Sequence, residues 1–210
     1  MNHARAERAA LGDLLLQLGP DAPTLCEGWT TFDLAAHLVL RERRPDAAGG
    51  IALRPLAGYT ASVQEALKAR YGYEGLVKLI LSGPAGLYGL VPGMDNAVNA
   101  MEFFVHHEDV RRAQRVWEPR ELPADLEETF WKRIRAGRRV FLRRSPVGVV
   151  LHRIGGGVAL GGTRDAAVVE VTGTAGELLL FCFGRQSHAP VDVAGPEEAV
   201  AALMDARLGV

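Results

Sequence analysis

The chain has 210 residues, 48% of them hydrophobic, and its 24 Lys plus Arg against 25 Asp plus Glu leave a formal net charge of -1. That length and apolar share suit one large domain or two small ones with a real core, and the near-balance of charge argues against nucleic acid or an anionic membrane as partner. Cys26 and Cys182 stand far apart without CxxC spacing, so neither a disulfide framework nor a cysteine zinc site is indicated, as expected of a cytoplasmic protein.

Residues 4–18 place Leu11, Leu14, Leu15 and Leu18 at helical spacing opposite Arg5, Arg8 and Asp13, the pattern of an amphipathic helix. The stretch is too short and too polar for a membrane span, and it lacks the cleavage pattern of a signal peptide. "GPDAPTLCEG" (19–28) breaks it, and "WTTFDLAAHLVLRER" begins a second helix with Thr30 as N-cap and Asp33 at the third helical position. Pro45 and the glycines after it are expected to end that helix. Helical pieces follow over 60–70 and 73–81, separated at Tyr71-Gly72, then a turn-rich connection over 82–93. Asp95 is expected to cap a helix that carries "MEFFVHHEDVRRA" (101–113) and stops before Pro119. A further helix spans roughly 124–144. The arginines of "RERR" (41–44) and "RRVFLRR" (138–144) read as solvated helix faces.

After Ser145-Pro146 the texture changes. "VGVVLHRI", "GGVALGG" and "AAVVEVTG" are short β-branched runs punctuated by glycine, and these are strands. "AGELLLFCFGR" (175–185) is a short apolar helix, "APVDVAG" a further strand candidate, and "PEEAVAALMDARL" (196–208) a closing helix with Pro at its first position. The expected class is α+β: a helical bundle over 1–144, then a small α+β unit over 145–210.

The candidate site is in the helix around residue 101. Residues four apart share a helix face, so Glu102 and His106 project together, while His107 points about 100° away. Asp109, three residues beyond His106, is a candidate outer partner. Taken alone, Glu-x-x-x-His is most simply a surface or hydrogen-bonded pair. Its neighbours Met101, Phe103, Phe104 and Val105 are apolar, however, and an ionised Glu buried among them without a partner would be expensive. A divalent cation resolves that expense. Catalytic metal sites typically take three protein ligands, and His37, on the bundle-facing side of the second helix, is the candidate third, against the alternative of a hydrogen-bonded core histidine. Asp33 either orients His37 or serves only as the cap. Cys26 precedes that helix and could approach the site, although a buried inert thiol is the simpler reading. His3 falls in a terminus expected to fray, and His152 and His188 have no carboxylate at ligand spacing.

Trp29, Asp33, His37 and Leu38 form Trp-x-x-x-Asp-x-x-x-His-Leu, and Glu102 and His106 form Glu-x-x-x-His. In these motifs the sequence resembles the mycothiol-dependent maleylpyruvate isomerase family of the DinB-like metal-binding superfamily, and within it an actinobacterial metal-binding branch. The resemblance implies a DinB-like four-helix bundle in which His37, Glu102 and His106 hold a divalent ion, usually zinc. It also implies a sterol-carrier-like α+β domain. "GTAGELLLFCFGR" (173–185) is similar to a helix ending in Gly-Arg found there, which makes Arg185 the candidate catalytic or cofactor contact. The implied activity is a mycothiol-dependent isomerase or S-transferase acting on a small-molecule substrate with a low-molecular-weight thiol. The alternative is a binding protein that holds metal or a hydrophobic ligand without chemistry. A third is a metal that only staples the bundle.

Overall fold

The structure is a computed structural model, and it describes residues 2–52, 54–83, 94–163 and 166–209. It is α+β, and its contacts divide it into two compact units, Met1–Glu118 and Pro119–Val210.

The first unit is helical: α1 (His3–Leu18), α2 (Thr31–Arg43), α3 (Pro45–Ala52), α4 (Ala57–Leu81) and α5 (Met94–Arg112). The Asn2 side chain caps α1 by accepting from Arg5 N at 3.0 Å. The Thr30–Asp33 capping box fixes the start of α2, with Asp33 Oδ2 accepting from Thr30 N at 2.9 Å. Helix α2 ends at Arg43 with Arg44 as its C-cap, just before Pro45 as expected, but Pro45 and the glycines after it do not stay outside helix. Pro45 opens α3 instead, since a proline at the first helical position has no N–H to leave unpaired. Gly50 in α3 lies so close to Thr60 and the Leu56 carbonyl that a Cβ would clash with both. The break expected at Tyr71-Gly72 falls within α4 at Gly72, whose φ of 62° and ψ of 177° suit glycine alone. Residues 84–93 of the expected connection, and the side chain of the expected cap Asp95, lie outside the described residues.

Helix α1 packs on α5 and α2 on α4. Leu11, Leu15, Leu34, Leu38, Leu76, Ile80 and Phe103 form the core between them. Each such side chain contributes about 1.5–3 kcal/mol on burial, so the helices that carry the site are anchored by their apolar faces.

The second unit contains α6 (Ala124–Phe141), β1 (Gly148–Arg153), β2 (Val158–Gly162), β3 (Val168–Gly173), α7 (Ala175–Cys182), β4 (Asp192–Ala194) and α8 (Glu197–Met204). The strand order is β2-β1-β3-β4; β1 runs parallel to β3, and both outer pairings are antiparallel. Val149, Leu151, Ala159, Val169 and Val171 point into the core, and the intervening Val158, Leu160 and Val168 stay exposed, the period-2 alternation of a one-sided sheet. Helix α7 is buried throughout, and Gly184 turns the chain after it with φ of 84°. Helix α6, grouped by the sequence reading with the preceding bundle, packs here on α7 and β2.

Candidate metal centre

The core places His37 on the buried face of α2, with Glu102 and His106 one turn apart on α5. His106 Nε2 stands 3.3 Å and His37 Nε2 3.7 Å from the same oxygen, Glu102 Oε1. The two imidazole rings meet edge to face, 5.3 Å between centroids. The three ligand atoms lie within 4.8 Å of one another, and the Trp29 ring packs 5.0 Å from that of His37.

Three surrounding groups shape this cluster. Asp109 Oδ2 is 2.9 Å from His106 Nδ1, so that nitrogen carries a proton toward the carboxylate and Nε2 faces Glu102. Cys26 Sγ donates to the same Asp109 oxygen at 3.3 Å and lies 3.9 Å from His106 Nδ1. Arg41, one turn after His37, brings Nε to 3.2 Å from Glu102 Oε1, and its Nη1 donates to Asn99 Oδ1 at 2.6 Å.

The electrostatics follow from these contacts. Burial lowers the pKa of His37, outweighing its hydrogen bond to Glu102, and nearby His106 and Arg41 push it the same way. Burial also opposes ionisation of Glu102, but hydrogen bonds from His106 and His37, with the charges of His106 and Arg41, hold its carboxyl well below the usual range. At His106 burial disfavours the cation, yet Asp109, Cys26 and Glu102 together hold it well above the ordinary histidine value. The set therefore offers a neutral imidazole, an anionic oxygen and a second imidazole whose proton a metal would displace. Two histidine nitrogens and one carboxylate suit a divalent ion of the zinc type, and Asp109 stands against His106 where a metal-bound histidine would commonly have an outer carboxylate. Cys26, His106 and Asp109 form a second convergent group, which overlaps the first at His106.

The other described titratable side chains of this helix have partners. His107 Nδ1 lies 2.8 Å from Glu7 Oε2 on α1. Arg111 and Arg112 both donate to the buried Glu108, at 2.8 Å and 2.6 Å. Asp33 does not serve His37: its Oδ2 accepts from Thr30, and its Oδ1 takes the Lys68 ammonium of α4 at 2.8 Å. His3, expected in a frayed terminus, is buried in α1. His152 lies 3.3 Å from Glu170 on the neighbouring strand, a pairing its sequence spacing did not reveal. Arg185 is in the second unit, half-buried just after Gly184, where its guanidinium donates to the Phe183 carbonyl. Sequence reasoning missed Arg41, whose four-residue spacing from His37 was the available signal. No helix among the described residues is long and apolar enough to cross a membrane.

No protein-family model matches the sequence, and no curated protein matches it. Solved structures do share the fold. The chain is similar to the crystal structure of the mycothiol-dependent maleylpyruvate isomerase, at 16% sequence identity and a TM-score of 0.54, covering 91% of this chain and 90% of that one. A histidine-to-alanine mutant of that isomerase matches at 15% identity and a TM-score of 0.55, with the same coverage.

Proposed function

We propose that the protein is a cytoplasmic divalent-metal enzyme, a thiol-dependent isomerase or S-transferase, with His37, Glu102 and His106 as metal ligands. The observation that carries this reading is the convergence of His37 Nε2 and His106 Nε2 on Glu102 Oε1, at 3.7 Å and 3.3 Å. The fold shared with a mycothiol-dependent isomerase supports the reaction class. In this reading the metal is zinc and the thiol is mycothiol. The helical unit is a DinB-like four-helix bundle of α1, α2, α4 and α5, the second unit is sterol-carrier-like, and Arg185 contacts substrate or thiol.

A bound divalent ion supplies a lowered pKa for a thiol ligand, so that a thiolate exists at neutral pH. Around it, Asp109 holds the His106 tautomer with Nε2 turned inward, and Arg41 fixes the Glu102 carboxylate from the side of Asn99. Trp29 covers the ring of His37. The reaction class is thiol addition to an electrophilic carbon, followed by elimination for isomerisation or by retention of the new C–S bond for transfer.

The test is calorimetric titration of zinc-loaded protein with mycothiol, paired with an isomerisation assay on maleylpyruvate. Saturable thiol binding that is lost on removing the metal is expected. Metal without any thiol binding would contradict the enzyme reading. That outcome would favour the second one, a ligand-carrying protein, for which the second unit offers a cleft of about 470 Å³ whose lining mixes Leu122 and Ile154 with charged Arg120, Glu121, Glu127 and Glu177.

A further inference from the structure

The arginines of "RRVFLRR" do not simply form a solvated helix face. Arg138, Arg139 and Arg143 line one cleft of about 560 Å³ at the C-terminal end of α6, together with Leu142, Leu160, Gly161 and Gly162. Two glycines shape its wall. A Cβ on Gly161 would fall 2.5 Å from Leu142 Cδ1, and Gly162 adopts a φ of 77°, so this end of β2 can lie directly against the end of the helix.

Among the described residues, no carboxylate compensates the charge on this cleft: none pairs with Arg138, Arg139 or Arg143, and the Arg138 guanidinium donates to the Arg135 carbonyl. Arg153 of the same unit, by contrast, is paired with Glu128 at 2.6 Å. Cations near a helix C-terminus favour its dipole, which accounts for Arg138 and Arg139 in the last turn of α6. Arg143, directly after the C-cap residue Leu142, lines the same cleft from beyond the helix. Leu160, 63% exposed on edge strand β2, adds an apolar surface beside the charges.

We propose that this cleft binds the phosphate of a phosphomonoester with an apolar body. Guanidinium forks match phosphate oxygens two at a time, and three of them suit a dianion better than a single carboxylate. The volume is that of a small-molecule site, and the exposed Leu160 receives the part of the ligand that water disfavours. The site is independent of the metal reading, since its lining residues all belong to the second unit.

The experiment uses the full chain, with octyl phosphate and inorganic phosphate as probes in calorimetric titrations. Saturable binding of one octyl phosphate is expected, at least ten-fold tighter than inorganic phosphate and at least ten-fold weaker in the Arg139→Glu, Arg143→Glu double variant. Both positions are exposed, and the Arg139→Gln, Arg143→Gln pair, which adds no negative charge, should weaken binding in the same direction. Co-sedimentation with phosphatidic acid vesicles separates the two sources of such a phosphate. Vesicle binding lost in the double variant would place it on a lipid headgroup; octyl phosphate binding without vesicle binding would place it on a free molecule. Absence of saturable binding in both arms, equal affinity for the two soluble probes, or binding unchanged in both double variants would overturn the proposal.

Discussion

Asp109 Oδ2 lies 2.9 Å from His106 Nδ1, and this contact decides which ring nitrogen of His106 faces His37 and Glu102. Asp109 is fully buried, so its carboxylate has no solvent to turn toward. Replacing it by Asn keeps the shape but removes the charge that favours this tautomer. Asp109→Asn should still bind one equivalent of zinc, with affinity reduced about 10–100-fold. Competition against a chromophoric chelator measures this, and an unchanged affinity would show that the contact does not tune the site.

Metal binding should release protons. Burial works against the His106 cation, but Asp109, Cys26 and Glu102 hold its pKa well above the ordinary histidine value, so the metal-free site favours the protonated ring. Zinc requires its neutral form. Zinc affinity should therefore fall as pH falls, and near pH 7 about one proton should leave per ion bound. Calorimetry in buffers of different ionisation enthalpy reports that number directly. A value near zero would mean that His106 is already neutral, or is not a ligand.

The neighbouring histidine should behave differently. His107 Nδ1 lies 2.8 Å from Glu7 Oε2, and both residues are buried. Glu7→Ala leaves the imidazole without this partner, at a cost of about 1–3 kcal/mol. The urea midpoint should drop while zinc affinity stays the same. A large loss of zinc affinity with no loss of stability would place His107 in the metal site instead.

How far the sequence showed this arrangement depended on whether a feature lay within one helix or between two. Glu102 and His106 share a face of one helix, and the capping box of Thr30 and Asp33 is equally local, so spacing was enough for each. Gly72 likewise marked its own break in α4. Which carboxylate meets which histidine was not legible, because it depends on how helices rotate against one another. Asp33 stood at suitable spacing from His37, but α4 presents Lys68 to it, and the carboxylate that meets a histidine of the cluster is Asp109, at His106. The periodicity of α6 revealed an apolar face without saying what covers it, and the covering elements are α7 and β2. The Arg138–Arg143 cleft was hidden for a related reason: a basic run reads as solvated until the strand that walls it is in place.

The central claim is that His37, Glu102 and His106 hold one divalent ion. The most direct measurement is the zinc content and affinity of purified protein compared with His37→Ala and His106→Ala, by elemental analysis and chelator competition. The account predicts one zinc per wild-type chain, and in each variant either no zinc or an affinity lower by orders of magnitude, with helical content by circular dichroism retained. Either variant binding one equivalent with unchanged affinity would contradict it.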